Sequence, residues 1–502
     1  MRTTPRYASE PLAVTLREAK PPLVLALDVG TSGLRSFLFD VRGRPVGSAI
    51  ARRDRAPRTG ADGEVSVDAD ERVRAASDAI DETLAAAGRR AGEIATVATS
   101  TFWHSLVGVD ARGRPTTRVL TWADTRARAA AAALRSELDP RANHARTGCV
   151  FHASYWPAKL RYLKDADRDA YARTAKWLSL GEYLYFRFFS GTRAAHGMAS
   201  ATGIYDQARR IWDEPLLGHL GVRASALSQL SDEPQEGLRP SFARRWPALA
   251  RIPWVPAIGD GAASNVGAGA ISRDRAALFL GTSGAIRVLY ATDRPPTVDG
   301  GWTYRLDGRR VVAGGALSNG GNVIAWLART FPQVDSATLW RSPPPPGLIA
   351  LPLLAGDRSP TWNDAARAAL AGVGLSTTAQ DIARAMLEGV AFRAARLWRL
   401  ADAALPGIGT VVATGGTLLR LPWLMQLFAD ALDRPLVMSG SGEGSARGAA
   451  IAALERVGLV PTIAAVRSPL GRMFRPNAAA HARLAEGMER QRALEEALPP
   501  LS

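Results

Sequence analysis

Two copies of the tetrapeptide Gly-Thr-Ser-Gly, each between apolar strand-like runs, constrain the fold of this chain more than any other feature. The first copy lies in LVLALDVGTSGLRSFLFD, residues 23–40, and the second in ALFLGTSGAIRVLY, residues 277–290. Two apolar runs joined by a short glycine-containing turn are typical of a β-hairpin. Because the copies lie far apart in the chain, they favour a duplicated domain over a short-period repeat. The sequence therefore predicts two related units, each with one such hairpin.

Strand-like and helix-like segments alternate along both halves of the chain. Alanine-rich helical patterns cover residues 70–88 and 378–404, and apolar strand-like runs precede and follow them. This alternation is typical of an α/β fold, and a length of 502 residues favours two or more domains. We predict a disordered basic extension over 1–22, domains over 23–271 and 272–460, and a helical tail over 461–502.

The composition indicates which partners and compartments to expect. A net charge of +16 would suit nucleic-acid binding, but the arginines are scattered and form no basic stripe interleaved with aromatic residues. Cys149 is the single cysteine, so no internal disulfide can form, which favours a reducing compartment. No run approaches the ~18 apolar residues of a membrane span. We expect a cytoplasmic protein with neither a nucleic-acid nor a membrane partner.

The glycine-rich turns suggest phosphate binding, although neither common phosphate motif is present. A Walker A loop is excluded because none of the lysines follows a glycine, and the turns lead into strands rather than the helix of a dinucleotide fingerprint. Such a turn can present backbone N–H groups and two hydroxyls to an anion, whereas a plain hairpin connection is the alternative. The candidate phosphate-binding residues are Thr31, Ser32, Gly33, Gly281, Thr282 and Ser283.

Two aspartates are candidates for the chemistry of phosphoryl transfer. Asp28 precedes the first turn, where the second copy has Phe279, and could hold Mg²⁺ through water. A contact that stabilises the turn is the alternative for Asp28. Asp260, in AIGDGAASNVGAG, could accept the proton of an attacking hydroxyl and also contact the metal, although GDG is a common plain turn.

Polar and aromatic residues elsewhere suggest binding sites for a sugar and for a nucleoside. Trp103 and His104 suit the stacking and hydroxyl contacts of a sugar, whereas a packed core with a cap is their alternative. Asp124 and Arg126 are weaker substrate candidates that could equally form a helix cap or an ion pair. Gly415 and Gly416 permit close approach of a base or ribose, and a structural turn is their alternative.

Taken together, these segments resemble the FGGY carbohydrate kinases of the actin-like ATPase superfamily over about residues 23–460. DVGTSGLRSFLFD and LFLGTSGAIRV are similar to the two phosphate motifs, and GDGAASNVG is similar to the catalytic-aspartate segment. SNGGNVIAWL and ATGGTLLRLPWLMQLFADALDRP resemble the adenosine-side motifs. The resemblance implies two actin-like, ribonuclease H-like domains that flank a cleft for ATP, Mg²⁺ and a sugar, and it leaves a homodimer open.

The resemblance also implies roles for individual residues. Asp28 would assist the metal and Asp260 would be the general base, while Trp103 and His104 would orient the sugar. The residues implied to line ATP are Thr31, Ser32, Gly33, Gly281, Thr282, Ser283, Gly321, Gly415, Gly416 and Arg420. This chain departs from the family pattern at Asp357, where glutamate is expected, and at Arg420, where glycerol kinases have asparagine.

Three segments are most similar to the gluconokinase branch: HSLVGVDARGRPTTRVLTWADTRA, HGMASATGIYDQARRIWD and LPLLAGDRSPTWNDAARAAL. We therefore expect phosphorylation of a sugar or sugar acid at a primary hydroxyl, with gluconate as the first candidate. A pentulose or another polyol is the alternative substrate. A non-catalytic sugar sensor and a polymerising or chaperone-type ATPase are alternatives of other classes.

Overall fold

The computed structural model describes residues 13–335, 339–340 and 343–498, which form two α/β units, each built on one mixed sheet. In spatial order, the first sheet consists of Ile258–Gly259, Ile94–Thr101, Leu23–Val29, Gly33–Phe39 and Pro45–Asp54. The second sheet consists of Trp302–Arg305, Arg310–Leu317, Gly284–Ala291, Arg275–Leu280, Thr410–Thr414, Leu436–Ser439 and Leu470–Phe474.

The two sheets share one arrangement of strands. In each sheet the opening strand of a hairpin pairs antiparallel with its hairpin partner and parallel with a strand that arrives later in the chain. A third strand then continues the antiparallel side in both sheets. The duplication and the α/β class that the sequence predicts are therefore confirmed. We call Leu23–Val29 with Gly33–Phe39 the first hairpin, and Arg275–Leu280 with Gly284–Ala291 the second hairpin.

Helices and short strands complete both units. The α-helices are Ala69–Ala87, Arg128–Glu137, Pro140–Thr147, Trp156–Ala166, Arg168–Arg173, Leu180–Phe188, His196–Ala199, Glu214–Leu220, Pro240–Arg245, Asp260–Ala268, Gly321–Thr330, Ala379–Ala404, Gly416–Arg420, Pro422–Leu432, Gly444–Arg456 and Ala478–Ala497. The 3-10 helices are Gly88–Glu93, Ala224–Ala226, Pro247–Leu249 and Ile463–Ala465. The short strands are Arg58–Thr59, Val65–Val67, Val107–Val109, Val119–Leu120, Lys176–Leu178, Arg193–Ala194, Tyr205–Asp206, Ile211–Trp212, Gln229–Leu230, Ile349–Leu351 and Ala369–Ala371.

Helices Asp260–Ala268 and Gly444–Arg456 pack tightly against each other because glycines line their contact. A Cβ atom at Gly448 would collide with the Ala263 carbonyl, and one at Gly267 would collide with the Gly444 carbonyl. The apolar side chains of Gly444–Arg456 belong to the core of the first unit, together with the first hairpin. A segment within the predicted second domain (272–460) therefore packs into the first unit.

Both ends of the described chain differ from what the sequence predicts. The predicted disorder over 1–22 is wrong for residues 13–22, because the Val14 N–H donates to the Pro45 carbonyl at 2.9 Å and Ala19 is buried. Residues 1–12 lie outside the described chain. In the predicted helical tail, Ala478–Ala497 is helical, but Leu470–Phe474 adds an edge strand to the second sheet.

Candidate active site

A cavity of about 310 Å³ lies between the two units, and both units supply its walls. Its lining residues are Phe102, Trp103, His104, Trp122, Ser154, Tyr155 and Asp260 from the first unit, and Phe279, Thr282, Ser283, Gly284, Ala285, Arg287, Trp302, Tyr304, Ala316, Arg358 and Trp362 from the second half of the chain. One wall is therefore aromatic, and another is the tip of the second hairpin. Such a mixture of apolar faces and few polar groups is typical of a small-molecule site.

Asp260 is the carboxylate that lines this cavity. It is the first residue of helix Asp260–Ala268 and directly follows strand Ile258–Gly259, so it lies at a strand's carboxyl end. The Gly261 N–H donates to its Oδ1 at 2.7 Å. Burial, to which the charge of Asp28 adds, raises the pKa of Asp260 to about 6, although the Arg287 guanidinium opposes this shift. A carboxyl group with this pKa is largely ionised at neutral pH and can still take up a proton.

The glycines on either side of Asp260 leave room for the Trp103 indole. A Cβ atom at Gly259 would overlap the indole Nε1, and one at Gly261 would overlap its six-membered ring. Trp103 is held in this position because its Nε1–H donates to the Gly197 carbonyl at 3.0 Å. The GDG sequence is therefore needed to seat this tryptophan beside the aspartate.

Asp28, the penultimate residue of strand Leu23–Val29, is close enough to Asp260 for its charge to raise the pKa of Asp260. Its Oδ2 accepts a hydrogen bond from the Arg35 guanidinium at 2.6 Å, and its Oδ1 accepts one from the Ser100 hydroxyl at 3.2 Å. Burial is the main cause that raises the pKa of Asp28, and the charge of Arg35 opposes this shift. Among the described residues, no group of three or more His, Cys, Asp or Glu could enclose a metal.

Asp28 and Asp260 fit Mg²⁺ as a partial set of ligands. Magnesium is usually held by one or two carboxylates, substrate phosphates and water rather than by a full protein cage. Asp28 and Asp260 supply two neighbouring carboxylates at this edge of the first sheet. This donor set is compatible with a magnesium ion whose remaining ligands come from phosphates and water.

The two glycine-rich turns contribute differently to the cavity. Thr282 and Ser283 of the second turn line it, whereas Thr31, Ser32 and Gly33 of the first turn do not. The Thr31 hydroxyl accepts a hydrogen bond at 3.1 Å from Nε1 of Trp122, a lining residue. The first turn is therefore joined to the cavity wall through one tryptophan.

The glycines predicted for the adenosine side meet around the second turn, although they come from separate chain segments. The Gly281 carbonyl accepts hydrogen bonds from the Gly321 N–H at 2.8 Å and from the Thr417 hydroxyl at 3.3 Å. A side chain at Gly415, whose φ is +90°, would collide with the Leu280 backbone. A Cβ atom at Gly416 would lie 2.8 Å from an Arg420 guanidinium nitrogen. These predicted positions form one continuous surface.

His104 presents an uncharged ring to the cavity. Burial is the main cause that lowers its pKa, to about 3. Its Nδ1 lies 2.6 Å from the Ala201 carbonyl, so in the neutral ring Nδ1–H must donate and Nε2 keeps a lone pair. His104 has φ +65°, and Lys159 supports this backbone by donating from Nζ to the His104 carbonyl at 2.5 Å. Nε2 is therefore suited to accept a hydrogen bond from a sugar hydroxyl.

The weaker substrate candidates, Asp124 and Arg126, lie outside the cavity lining. They form an ion pair with each other at 2.7 Å, and the Arg126 guanidinium lies over the Tyr162 ring. The ion-pair alternative therefore describes them, rather than a substrate contact. Asp357 also lies outside the lining. Its carboxylate accepts a hydrogen bond from Arg393 at 2.5 Å within the second unit.

Sequence reasoning missed two arginines that line the cavity, Arg287 and Arg358. Arg287 lies in strand Gly284–Ala291, among buried and mostly apolar neighbours. A lone charged residue in such a strand is the signal that could have identified it. Arg358 lies in a loop and contacts Trp122, with its guanidinium carbon 5.1 Å from the ring centre. Nothing in the loop sequence indicates that contact.

The architecture and this cavity between two duplicated units define a two-domain kinase fold with a shared active-site cleft. The model of the FGGY family of carbohydrate kinases, N-terminal domain, matches residues 23–267, and the model of its C-terminal domain matches residues 276–455. The chain therefore belongs to the FGGY family of carbohydrate kinases. It is a kinase that acts on a small-molecule sugar or related substrate.

Similar proteins of this family differ in the substrates that they are named for. The chain is 28% identical over 403 residues to a gluconokinase of Bacillus subtilis, covering 76% of this chain and 78% of that protein. It is 29% identical over 468 residues to a glycerol kinase of Methylobacterium nodulans, covering 88% of this chain and 90% of that protein. The family models therefore identify the family, and the relatives leave the acceptor to be determined.

Solved structures show the same fold along almost the whole chain. A gluconate kinase from Lactobacillus acidophilus superimposes with a TM-score of 0.88 at 24% identity, covering 95% of this chain and 98% of that one. A ligand-bound xylulose kinase from the same organism gives the same TM-score, identity and coverage. In the described part of this chain, no helix combines the length and the hydropathy needed to cross a bilayer.

Proposed function

We propose that this protein transfers the γ-phosphoryl group of ATP to a primary hydroxyl of a sugar or sugar acid, with gluconate as the first candidate acceptor. The observation that carries the proposal is Asp260, a buried carboxylate in the cavity between the two units with a pKa of about 6. Asp260 takes the proton of the attacking hydroxyl as its oxygen bonds to the γ-phosphorus. The bond from that phosphorus to the β–γ bridging oxygen breaks, and ADP leaves.

The two hairpins bind the polyphosphate on either side of this carboxylate. The backbone N–H groups and hydroxyls of Thr282 and Ser283 suit the phosphate oxygens from the second unit. Thr31 and Ser32 lie outside the cavity lining, but their turn is joined to it through Trp122 and would contact the polyphosphate from the first unit. Asp28 and Asp260 would hold Mg²⁺, which neutralises charge on the phosphates when it is bound. The surface formed by Gly321, Gly415, Gly416 and Arg420 would receive the nucleoside.

The aromatic wall binds the acceptor and excludes water. Trp103, Trp302 and Tyr304 pack against one another, with the Trp302 and Tyr304 rings stacked at 4.2 Å between centroids. Flat apolar faces suit the C–H groups of a polyol, and Nε2 of His104 accepts one of its hydroxyl hydrogens. A wall of this kind limits transfer of the phosphoryl group to water, because little water shares the cavity with the acceptor.

We place gluconate before a pentulose as the candidate acceptor for two reasons. The sequence is most similar to the gluconokinase branch, and gluconokinases are among its relatives. Xylulose kinase and glycerol kinase neighbours support a pentulose or another polyol as the second candidate. A non-catalytic sensor is disfavoured because Asp260 is retained in the cavity.

A coupled assay of ADP release tests the proposal with gluconate, xylulose, ribulose and glycerol as acceptors. We expect gluconate-dependent ADP release that requires Mg²⁺ and is lost in Asp260→Asn. Release that depends on xylulose, ribulose or glycerol instead of gluconate would support the second candidate. ADP release that is the same with and without every acceptor would contradict a carbohydrate-kinase function.

A further inference from the structure

Arg287 is a buried cation that forms no ion pair within the described chain, although the charge of Asp260 acts on it from a longer distance. Only 7% of the residue is exposed, and its Nε is buried without a hydrogen-bond partner. Among the described residues, no carboxylate lies within 4.0 Å of its guanidinium. The guanidinium carbon lies over the Phe279 ring, 5.6 Å from the ring centre. Its guanidinium also passes close to the first turn of the Asp260 helix, 2.5 Å from where a Gly261 Cβ would be.

The guanidiniums of the other buried arginines of this chain donate hydrogen bonds to protein groups. Arg393 pairs with Asp357 at 2.5 Å, and Arg384 pairs with Glu388 at 2.9 Å. Arg447 donates to the Gly43, Gly267 and Arg467 carbonyls and to the Ser468 hydroxyl. Among the buried arginines of the described chain, Arg287 alone donates no hydrogen bond from its guanidinium to a protein group, and a buried charge without such bonds is unfavourable.

The guanidinium of Arg287 stays charged despite its burial. Desolvation lowers its pKa to about 10, which is still well above neutral pH, and the charge of Asp260 opposes this shift. Arg358 adds a second positive charge to the same cavity, and it lowers the pKa of Arg287 further. Against these two guanidiniums the lining offers one carboxylate, Asp260, while His104 is neutral. In the lining, guanidiniums therefore outnumber carboxylates two to one before any ligand enters, which suits an anionic acceptor.

We propose that Arg287 binds the carboxylate of the acceptor, so that this kinase selects sugar acids over neutral polyols of the same length. The inference rests on the proposed function and names the residue that determines the substrate class. The planar guanidinium can donate two parallel hydrogen bonds to a carboxylate, which a neutral hydroxymethyl group cannot accept in the same way. Apart from Arg358, no other arginine of the described chain lines this cavity.

A different role for Arg287 would be to hold down the pKa of Asp260, since its charge lowers that pKa. The two roles predict different results for Arg287→Gln. Loss of a carboxylate contact weakens the binding of sugar acids and leaves neutral polyols unaffected. Loss of a charge beside Asp260 slows both kinds of acceptor equally, and it moves the acid limb of the pH–rate profile to higher pH.

The experiment compares gluconate with glucitol, which has the same hydroxylated chain but CH₂OH in place of the carboxylate. Calorimetry measures the binding of each ligand to the wild-type protein, Arg287→Gln and Arg287→Lys, and the ADP-release assay measures kcat and KM. Arg367→Gln is the matched control, because Arg367 is exposed and bonds only carbonyls of its own loop, those of Asp364 and Ala366.

We expect the wild-type protein to prefer gluconate. Arg287→Gln should raise the Kd and KM for gluconate ~10- to 100-fold, the range for losing hydrogen bonds to a charged group, without changing those for glucitol. Arg287→Lys should retain part of the preference, and Arg367→Gln all of it. If Arg287→Gln does not fold, the wild-type preference and Arg287→Lys still test the proposal.

Two results would overturn the carboxylate site while the kinase function stands. One is a wild-type protein that binds and phosphorylates glucitol or xylulose as well as gluconate. The other is an equal loss for both acceptors in Arg287→Gln with the acid limb of the profile moved upwards. A protein that binds neither gluconate nor glucitol and releases ADP independently of every acceptor overturns the proposed function as well.

Discussion

The two hairpins share four residues of sequence but differ in how they close. In the first, the Gly30 N–H donates to the Gly33 carbonyl, and the last strand pair is Val29 with Leu34. In the second, the Gly281 N–H donates to the Ser283 carbonyl, and the last pair is Leu280 with Gly284. The second turn is therefore one residue shorter, and a one-residue change of register moves every following side chain to the other face.

This difference gives each hairpin a distinct charge arrangement. Asp28 lies opposite Arg35 in the first hairpin, and Arg35 also pairs with Glu443 at 2.7 Å. In the second hairpin, Phe279 replaces the aspartate, and Arg287 lies on the same face without a carboxylate partner. The first hairpin thus satisfies its own cation, whereas the second leaves its cation available for a ligand. Duplication of a turn does not imply duplication of its chemistry.

The largest expected effect comes from the carboxylate between the hairpins. Asp260→Asn removes the proton acceptor with little change in volume, so kcat should fall ~10²–10⁴-fold. Binding of ATP in the absence of magnesium, measured by calorimetry, should stay close to that of the wild-type protein. An Asp260→Asn protein with the parental kcat would show that the hydroxyl proton goes elsewhere.

The acid of the first hairpin should matter for the metal rather than for the proton. Asp28→Asn should raise the Mg²⁺ concentration that gives half-maximal rate ~10- to 100-fold, the usual scale when a group that orients a metal is lost. Asp293→Asn is the matched control, because Asp293 is largely exposed. An unchanged magnesium titration in Asp28→Asn would assign Asp28 to stabilising the hairpin alone.

The smallest expected effects concern the free energy of unfolding of the protein without bound ligands. Arg35→Gln leaves Asp28 buried without its ion pair, but Arg35 is 41% exposed, so the loss should be only about 1 kcal/mol in the free energy of unfolding. Arg287→Gln removes a buried charge that has no partner, so it should leave the protein equally stable or slightly more stable. Urea unfolding of both variants measures the difference. A larger destabilisation by Arg287→Gln would mean that Arg287 has a structural role.

The sequence predicts the fold well because the signals for it are local. Apolar alternation beside glycine-containing turns identifies both hairpins, and the helix over Ala379–Ala404 begins where Thr378 and Asp381 form a capping box. The ordering of residues 13–22 could not be predicted, because it depends on pairing with the strand that contains Val46. The packing of Gly444–Arg456 into the first unit depends likewise on distant contacts.

The sequence identifies candidate site residues but does not show which of them lie together in the fold. The glycines predicted to line ATP come from separate segments and lie together around the second turn, whereas their contact with ATP stays a prediction. Asp124 and Arg126 satisfy each other two residues apart, and nothing in the sequence separates such a pair from a substrate contact. Whether Arg287 has a partner is decided by residues far along the chain. Its isolation is visible only in three dimensions.

The pH dependence of kcat/KM tests the central claim most directly, because it reports the ionisation of the free enzyme's catalytic base. Asp260 must be ionised to accept the hydroxyl proton, so activity should fall as the pH drops below about 6. The account predicts an acid limb near that pH in the wild-type protein, and its absence in the residual activity of Asp260→Asn. An acid limb that is unchanged in Asp260→Asn would contradict the account.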